Sequence, residues 1–423
     1  MNNKCFKIPG HIYTLIENII SLLSIKGLEY ILAFITFPYL VRVLQVQNFG
    51  LLAYAAGIIQ YFILITDFGF NLSGPRDIAQ HDNKEGRAIY FSGIMGAKLI
   101  LLFFSSIIFG GGLYFLSSWY DININLYLAT YLLVIGNSLF PIWFFQGIQK
   151  MRYLTFVSII ARAISVITIF TFVKSEQDII LAAVFQSIVP LVSAIIAWLF
   201  IFKCYREAII FPSFLVIKNV FKSSWPFFIS MFSINVYTAS TTVILGIMTN
   251  NTVVGYYSAA NKVIDSIKGL INPISQAIYP YISKMAVESK DSALHFLKKL
   301  FYIMGGFNLC VCLLIFIFSE TIVSIILGSS YIESISIFKI MSLLPVIIIL
   351  SNIMGLFTML TFGMQKQFSK ILLHAAIFDL IIIFPLILFF QGNGAALTMV
   401  FTEAFVTYRT WVAIRGSDVY FLK

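Results

Sequence analysis

The stretch NKVIDSIKGLINP (261–273) carries three ionisable residues, Lys262, Asp265 and Lys268, spaced three apart in an otherwise mostly apolar segment. An α-helix turns by about 100° per residue, so the three share one face about 140° wide. The same face holds the uncharged polar residues Ser258, Asn261, Asn272, Gln276 and Tyr279. An ionised side chain at the bilayer centre costs about 2.5–3.5 kcal/mol even on lenient scales. The stripe therefore predicts a water-filled cavity or a contact with other polar helices, where amines could bind an anion and the carboxylate a proton or cation.

Ionisable residues also lie deep in other apolar segments. Thr155, Ser158, Arg162 and Ser165 share an arc of about 80° on a helix. The deep basic residues are Lys26, Lys98, Arg162, Lys262 and Lys268, and the deep acidic residues are Glu29, Asp265, Asp379 and Glu403. Because the basic residues outnumber the acidic ones, we predict that they line a substrate cavity for an anion such as a phosphate or pyrophosphate. The acidic residues are candidates for coupling transport to an ion gradient.

The alternative is that these charges only pair with one another inside the protein. Lys26 would then pair with Glu29, and Asp265 with either neighbouring lysine. A buried ion pair is weak evidence for stability, since apolar replacements often serve as well. Polar stripes on several helices exceed what a purely structural bundle needs, so we favour the cavity.

The composition is that of a membrane protein. Of the 423 residues, 60% are hydrophobic and 11% are charged, whereas about 25% are charged in an ordinary soluble domain. Because about 20 apolar residues cross a bilayer as a helix, we predict an all-α integral membrane fold with about twelve transmembrane helices. The predicted spans are 13–41, 49–71, 89–117, 124–147, 154–173, 179–202, 223–248, 254–283, 299–327, 333–362, 370–390 and 394–414.

The net charge of +10 follows from a one-sided distribution of lysine and arginine. Basic residues precede the first predicted span and follow the even-numbered spans, whereas the opposite loops carry only Arg42 and Lys174. The positive-inside rule then places both termini in the cytoplasm. The charge is therefore a topology signal, and we expect no nucleic-acid partner.

The longest polar connection divides the predicted helices six and six. We predict an N-terminal six-helix bundle (1–202), a cytoplasmic amphipathic linker (203–222) and a C-terminal six-helix bundle (223–423). An even number of helices in each part permits a parallel repeat about the membrane normal. A weak trace of such a repeat is present, since NFGLLAYAA (48–56) and VVGYYSAAN (253–261) place Gly50 and Gly255 at corresponding turns.

Two further features suggest gating elements on the cytoplasmic side. Arg76 and Asp77 lie in the first predicted cytoplasmic loop and could form a pair that fixes this loop at the inner mouth of the cavity. Pro273 and Pro280 follow the charged stripe directly. Because proline weakens a spanning helix locally, they could let the lower part of the eighth span swing.

Three stretches together resemble a known family. They are DFGFNLSGPRDIAQ (67–80), PIWFFQGIQKM (141–151) and VVGYYSAANKVID (253–265), and the segment GSSYIESISIFKIMSLLPVIIILSNIMG (328–355) agrees with them. Their order and spacing are similar to those of the Wzx-type O-antigen and polysaccharide flippases, within the multidrug/oligosaccharidyl-lipid/polysaccharide exporter superfamily. The resemblance covers nearly all twelve predicted helices.

The resemblance implies two six-helix bundles around a central V-shaped cavity. It also implies a flippase of the bacterial inner membrane that moves an undecaprenyl-pyrophosphate-linked oligosaccharide, such as an O-antigen repeat unit, from the inner to the outer leaflet by alternating access. An ion gradient would drive the cycle. The expected partners are this lipid-linked glycan, membrane lipids, and the glycan polymerase and chain-length machinery.

Two other functions remain open from the sequence. An ion-coupled exporter of small drugs or metabolites would share the fold, but it would favour carboxylates in the cavity. A membrane enzyme would be expected to carry a sizeable outer loop with catalytic residues, and the predicted outer loops are short. The four histidines are scattered without metal-ligand spacing, and no Gly-rich loop with Lys-Ser or Lys-Thr occurs. We therefore expect neither an enzyme nor a bound metal or cofactor.

Overall fold

The computed structural model describes the backbone of residues 10–81, 83–120, 122–205 and 210–422. Within these ranges it also describes the side chains, except those of residues 10–31, 33, 151–152, 230, 236–237, 270–277 and 280. All regular elements in the described part of the chain are helical. The fold is therefore all-α, as the apolar spans predict.

Among the described residues, seven α-helices form the first part of the chain, up to residue 205. They are α1 (Gly10–Asp67), α2 (Phe70–Gln80), α3 (Lys84–Ser117), α4 (Ile124–Leu139), α5 (Ile142–Gly147), α6 (Met151–Phe172) and α7 (Ile179–Cys204). A 3-10 turn, Glu176–Asp178, precedes α7. The longest helix, α1, is interrupted at Gln45, whose backbone is not helical (φ 58°, ψ 174°).

The part that the structure describes from residue 210 onward contains eight α-helices. They are α8 (Phe214–Thr238), α9 (Ser240–Met248), α10 (Asn251–Glu288), α11 (Lys290–Ile317), α12 (Ser319–Ile326), α13 (Ser334–Met341), α14 (Leu344–Asn352) and α15 (Gln365–Arg415). A 3-10 turn, Ser329–Tyr331, precedes α13, and a π-helical stretch, Ile353–Leu360, follows α14. Helix α15 is also interrupted by a glutamine, Gln391, whose backbone is not helical (φ 48°, ψ −121°).

Asparagine and serine begin the helices that enter from loops. The side chain of Asn83 accepts a hydrogen bond from Gly86 N at 3.1 Å at the start of α3, and Asn123 accepts one from Leu126 N at 3.1 Å before α4. Asn250 does the same for Val253 N at 3.1 Å at the start of α10. These N-caps satisfy backbone N–H groups that have no partner within the helix. The cap at Asn250 fixes where α10 begins, and therefore how far along α10 each charged residue lies.

The number of spans differs from the prediction. Eight described helices are long and apolar enough to cross a membrane, or nine if the bent pair Phe214–Asn235 and Ser240–Met248 is one span. Twelve spans are therefore not confirmed. The lower count has two physical reasons. Helices α1 and α15 contain 58 and 51 residues and continue past an interruption, so each is long enough for two crossings of about 20 residues. Helix α10 is less apolar because it carries the charged stripe.

Four clusters of buried apolar side chains form the core. Two belong mainly to the first part of the chain: one includes Val134 of α4, and the other surrounds Trp143 of α5. The other two belong mainly to the second part: one surrounds Tyr257 of α10, and the other includes Phe357. The Tyr257 cluster also takes in Val46 and two neighbours from α1. The two parts of the chain thus share apolar packing near Gln45.

Candidate functional site

A cavity of about 660 Å³ lies between helices from both parts of the chain. Helices α1, α4, α6 and α7 line it from the first part, and α9 and α10 line it from the second. This volume falls within the range of about 300–1,000 Å³ that is usual for sites that enclose an organic ligand. Its lining brings together Arg162, Lys262 and Asp265 from the predicted site.

The two cavity cations lie at similar depth. Arg162 is ten residues before the end of α6, where Val173 O accepts a hydrogen bond from the Tyr39 hydroxyl at 2.6 Å near Gln45. Lys262 is eleven residues after the start of α10. At 1.5 Å per residue, they lie about 15 and 16.5 Å from the ends of their helices on the Gln45 side. This is near the middle of a hydrocarbon core about 30 Å thick.

Several polar atoms in the cavity wall have no hydrogen-bond partner among the described residues. They are Nε of Arg162, Oγ of Ser258 and Oδ1 of Asn261, all inaccessible or nearly so. A buried polar group without a partner costs about 1–3 kcal/mol. These atoms are buried, so they do not contact the open space of the cavity in this conformation, but they make its wall polar.

The charges on α10 are partly paired. Lys268 Nζ lies 2.6 Å from Asp265 Oδ1, and Asn261 Nδ2 donates to Asp265 Oδ2 at 3.0 Å. Both oxygens of this carboxylate are therefore engaged. Lys262 is exposed to the cavity, whereas Lys268 does not line it. The stripe on α10 thus presents one cation, Lys262, and one carboxylate, Asp265, to the cavity, and Lys268 pairs with this carboxylate from outside the lining.

Uncharged amides complete the polar lining. Gln60 of α1, Asn137 of α4 and Gln186 of α7 line the cavity together with Asn261 of α10. Asn137 donates to Leu133 O at 2.8 Å, which leaves its side-chain oxygen as an acceptor. Each amide offers both a donor and an acceptor. Sequence reasoning singled out Asn261 but not Gln60, Asn137 or Gln186, because these three residues carry no distinctive spacing.

Lys98 has a different environment. Its side chain is 1% exposed, and its Nζ lies 3.4 Å from Oδ1 of Asp67, at the end of α1. Lys98 does not line the cavity. Sequence reasoning missed Asp67 as a deep acidic residue, although it begins the stretch DFGF that follows the apolar run of α1.

Asp379 and Glu403 lie on the two segments of α15. The side chain of Asp379 is fully buried; its Oδ1 accepts a hydrogen bond from Thr402 Oγ1 at 2.8 Å, and its Oδ2 has no partner among the described residues. Glu403 lies within electrostatic range of Asp379 and Lys268. These carboxylates form a second polar region, separate from the cavity lining.

Arg76 and Asp77 contact each other as predicted, but they lie on helix α2 (Phe70–Gln80) and not in a loop. Nε and Nη2 of Arg76 donate to Asp77 Oδ1 at 2.9 and 2.7 Å, and the guanidinium lies 5.4 Å from the ring centre of Phe227 in α8. This contact connects α2 with the second part of the chain. The side chains of Lys26, Glu29, Pro273 and Pro280 lie outside the described residues.

Comparison with known proteins identifies the class. Residues 15–286 match the family described as "Polysaccharide biosynthesis protein". The chain is 34% identical over 407 residues to the "Putative O-antigen transporter" of Escherichia coli (strain K12), over 95% of this chain and 97% of that protein. It is 29% identical over 395 residues to the protein of the same name from Shigella dysenteriae, over 92% and 97% of the two chains.

Solved structures show the same fold. An inward-facing multidrug resistance MATE family transporter of the MOP superfamily superimposes with a TM-score of 0.71 at 13% identity, over 91% of this chain and 94% of that one. The lipid II flippase MurJ, in an inward closed conformation, gives a TM-score of 0.65 at 16% identity, over 94% and 87%. The protein is therefore a multi-pass membrane transporter of this fold, not an enzyme. Within that class, the chain belongs to the Wzx-like polysaccharide biosynthesis family.

Proposed function

We propose that the protein is a flippase for an undecaprenyl-pyrophosphate-linked oligosaccharide, such as an O-antigen repeat unit. It would move this lipid from the inner to the outer leaflet of the bacterial inner membrane. The observation that supports this proposal most is the cavity in which Arg162 and Lys262 lie at the same depth from opposite parts of the chain. Two cations facing one space suit an anionic head group better than a neutral or cationic drug.

The physical problem is the head group. A pyrophosphate with a hydrophilic glycan cannot shed its hydration and cross about 30 Å of hydrocarbon unaided. The guanidinium of Arg162 and the amine of Lys262 would replace water at the pyrophosphate oxygens. The undecaprenyl chain would remain in the lipid while the head group moves through the protein.

The neutral amides would bind the glycan through hydrogen bonds. Gln60, Asn137 and Gln186 present donors and acceptors without charge, which suits sugar hydroxyl and acetamido groups. Asp265 is the one carboxylate among the described lining residues, and Lys268 and Asn261 engage it. The glycan would therefore meet a wall with little negative charge.

Alternating access would move the head group between the two sides. The parts before residue 203 and after residue 222 would act as two six-helix bundles, with the segment 203–222 as a cytoplasmic linker. Both termini would lie in the cytoplasm, and the Gln45 end would face the periplasm. An ion gradient would drive the cycle through a carboxylate. Asp379 is the best-supported candidate, because it is fully buried with one unpartnered oxygen, and Glu403, Asp265 and Glu29 are its rivals.

The test uses a bacterial strain that lacks this protein and expresses parent or variant chains at equal abundance. Loss of the protein should cause a lipid-linked glycan to accumulate on the inner leaflet and to disappear from the surface polysaccharide. The Arg162→Gln variant should behave like the deletion, whereas Lys284→Gln, at the exposed end of α10, should behave like the parent. Normal export by Arg162→Gln and Lys262→Gln variants would contradict the proposal.

A further inference from the structure

The two parts of the chain approach most closely at the Gln45 end of the cavity. A Cβ atom added at Gly50 of α1 would overlap the carbonyl oxygen of Asn251 and lie 2.6 Å from the backbone nitrogen of Gly255. A Cβ atom added at Gly255 of α10 would overlap the carbonyl oxygen of Val46. Only a residue without a side chain allows backbones to approach so closely. We name this contact the glycine crossing.

The glycine crossing is reciprocal. Gly50 is the fifth residue after the interruption at Gln45, and Gly255 is the fifth after the N-cap Asn250. Each glycine packs against the first turn of the opposite helix, around Asn251 or Val46. The short sequence repeat that relates Gly50 to Gly255 therefore corresponds to a contact between the two segments that carry it.

The glycine crossing adjoins the cavity. Phe49, Leu52 and Ala53 of α1 line the cavity, as does Ser258 of α10. Ser258 follows Gly255 by three residues, which is about 4.5 Å along a helix. The touching backbones at the crossing thus lie directly beside residues that line the cavity on this side.

Hydrogen bonds fasten α1 beside the glycine crossing. The buried Tyr331 hydroxyl donates to Val41 O at 3.1 Å, and Nη2 of Arg42 donates to Ile325 O. Ser330 Oγ donates to Gln45 Oε1 at 3.2 Å. Residues 325–331 thus hold α1 just before its interruption and at Gln45 itself.

Gln45 itself is strained. Its backbone angles (φ 58°, ψ 174°) fall in a region that is essentially restricted to glycine. Such a conformation persists only where surrounding contacts impose it. Here Gln45 Oε1 accepts a hydrogen bond from Ser330 in the opposite part of the chain, and Gln45 Nε2 donates to Arg42 O of its own helix at 2.8 Å. Separation of the two parts would therefore remove one of the two contacts that impose the conformation.

We propose that the glycine crossing and the contacts of residues 325–331 with α1 are the outer gate of the transporter. This inference rests on the alternating access in the proposed function. With the gate closed, as here, the cavity is sealed from the Gln45 side. Opening separates Gly50 from Gly255 and frees Gln45. A methyl group at either glycine disfavours the closed state and so exposes the cavity to the outside.

Thiol labelling in intact cells tests the gate without reference to the substrate. Ala56, a small residue that lines the cavity, is replaced by cysteine in a chain whose four cysteines, Cys5, Cys204, Cys310 and Cys312, are replaced. A membrane-impermeant maleimide is added from outside to spheroplasts. Gly50→Ala and Gly255→Ala should each raise the labelling rate of A56C by about tenfold, because overpacking shifts the balance toward the open state.

The control is Gly111→Ala in α3, where an added Cβ meets nothing within 4 Å. It should leave the labelling rate unchanged. Labelling by a permeant maleimide after solubilisation gives the total amount of each variant, and its melting temperature in detergent shows whether it is folded. An unchanged rate in both Gly50→Ala and Gly255→Ala, at normal abundance, overturns the proposal.

A reversible cross-link provides the opposite perturbation. Gln45→Cys and Ser330→Cys, both exposed, are joined by a short bifunctional thiosulfonate before labelling at position 56. The cross-link should return the fast labelling of the Gly50→Ala variant to the parent rate, and a reductant should restore the fast rate. Because the reagent can also block the cysteine at position 56 directly, the comparison is made with the Gly50→Ala, A56C chain that lacks the two added cysteines and receives the same reagent; labelling of that chain should stay fast. Fast labelling that persists in the cross-linked protein contradicts the gate.

The same cross-link separates the gate from the proposed function. If the cross-link controls labelling and also stops the lipid-linked glycan from reaching the outer leaflet, both stand. If it controls labelling while the glycan still reaches the outer leaflet, the gate stands and the proposed flippase function fails.

Discussion

Lys98 and Arg162 are both basic residues within apolar helices of the first part of the chain, but they have opposite environments. Lys98 is 1% exposed and lies 3.4 Å from the carboxylate of Asp67. Arg162 faces the cavity, and its Nε has no partner among the described residues. The charge of Lys98 is thus balanced within the protein, whereas that of Arg162 is presented to a ligand. A deep charge in a membrane protein can therefore serve stability or transport, and its partner decides which.

The largest expected effect is the loss of stability when the pair of Lys98 and Asp67 is broken. Asp67→Asn leaves a buried amine without its counter-charge, and removal of one member of a buried pair costs about 3–5 kcal/mol. The variant should show low abundance and a lower melting temperature in detergent, with export lost in proportion. Asp67→Leu combined with Lys98→Leu should recover most of the stability, because apolar replacement of both members is often neutral. Normal abundance with abolished export in Asp67→Asn would instead give the pair a transport role.

The next largest effect is the loss of export, without loss of stability, when Arg162 is replaced. Arg162→Gln should abolish export while abundance and melting temperature stay close to those of the parent. The free energy of unfolding should change by no more than about 0.5 kcal/mol, since the residue forms no ion pair among the described residues. Arg162→Lys should export at an intermediate rate, because lysine keeps the charge and loses the bidentate geometry. If Arg162→Gln is as unstable as Asp67→Asn, the contrast between the two residues fails.

The smallest effect is expected at the pair on the surface of α10. Asp265 and Lys268 are 44% and 20% exposed and three residues apart on one helix, and such pairs contribute about 0.2–0.5 kcal/mol. Asp265→Asn should therefore change the melting temperature little. The export activity of the Asp265→Asn variant distinguishes two roles of Asp265. Normal export would show that Asp265 only pairs locally, whereas loss of export with normal stability would show that it couples transport to an ion gradient. The charge reversal of both residues should preserve stability in either case.

The sequence predicts the class of fold and part of the site. Hydropathy indicates the helices, and the helical period places Ser258, Asn261, Lys262 and Asp265 on one face, where the cavity lies. The period cannot show that Lys268, on the same face, turns to Asp265 instead, because side-chain direction depends on neighbouring helices. It also cannot distinguish Lys98 from Arg162, since Asp67 approaches Lys98 only through the packing of α1 against α3.

The interruptions at Gln45 and Gln391 show a second limit of the sequence. Glutamine does not favour a positive φ, so neither position is marked as a break, and the conformations depend on contacts made after folding. By contrast, Gly50 and Gly255 were visible as corresponding residues in a weak repeat. Their contact could not be foreseen, because similarity between two segments does not place them against each other.

The most direct measurement of the central claim is the affinity of the purified protein for undecaprenyl pyrophosphate, with undecaprenol as the uncharged control. The parent and the Lys284→Gln variant should bind the pyrophosphate lipid equally, and added salt should weaken the binding. Arg162→Gln and Lys262→Gln should each reduce the affinity by about tenfold or more, because a hydrogen bond to a charged group contributes about 1.5–3 kcal/mol, and neither should alter the binding of undecaprenol. Equal affinity of all four proteins for undecaprenyl pyrophosphate would contradict an anion-binding cavity.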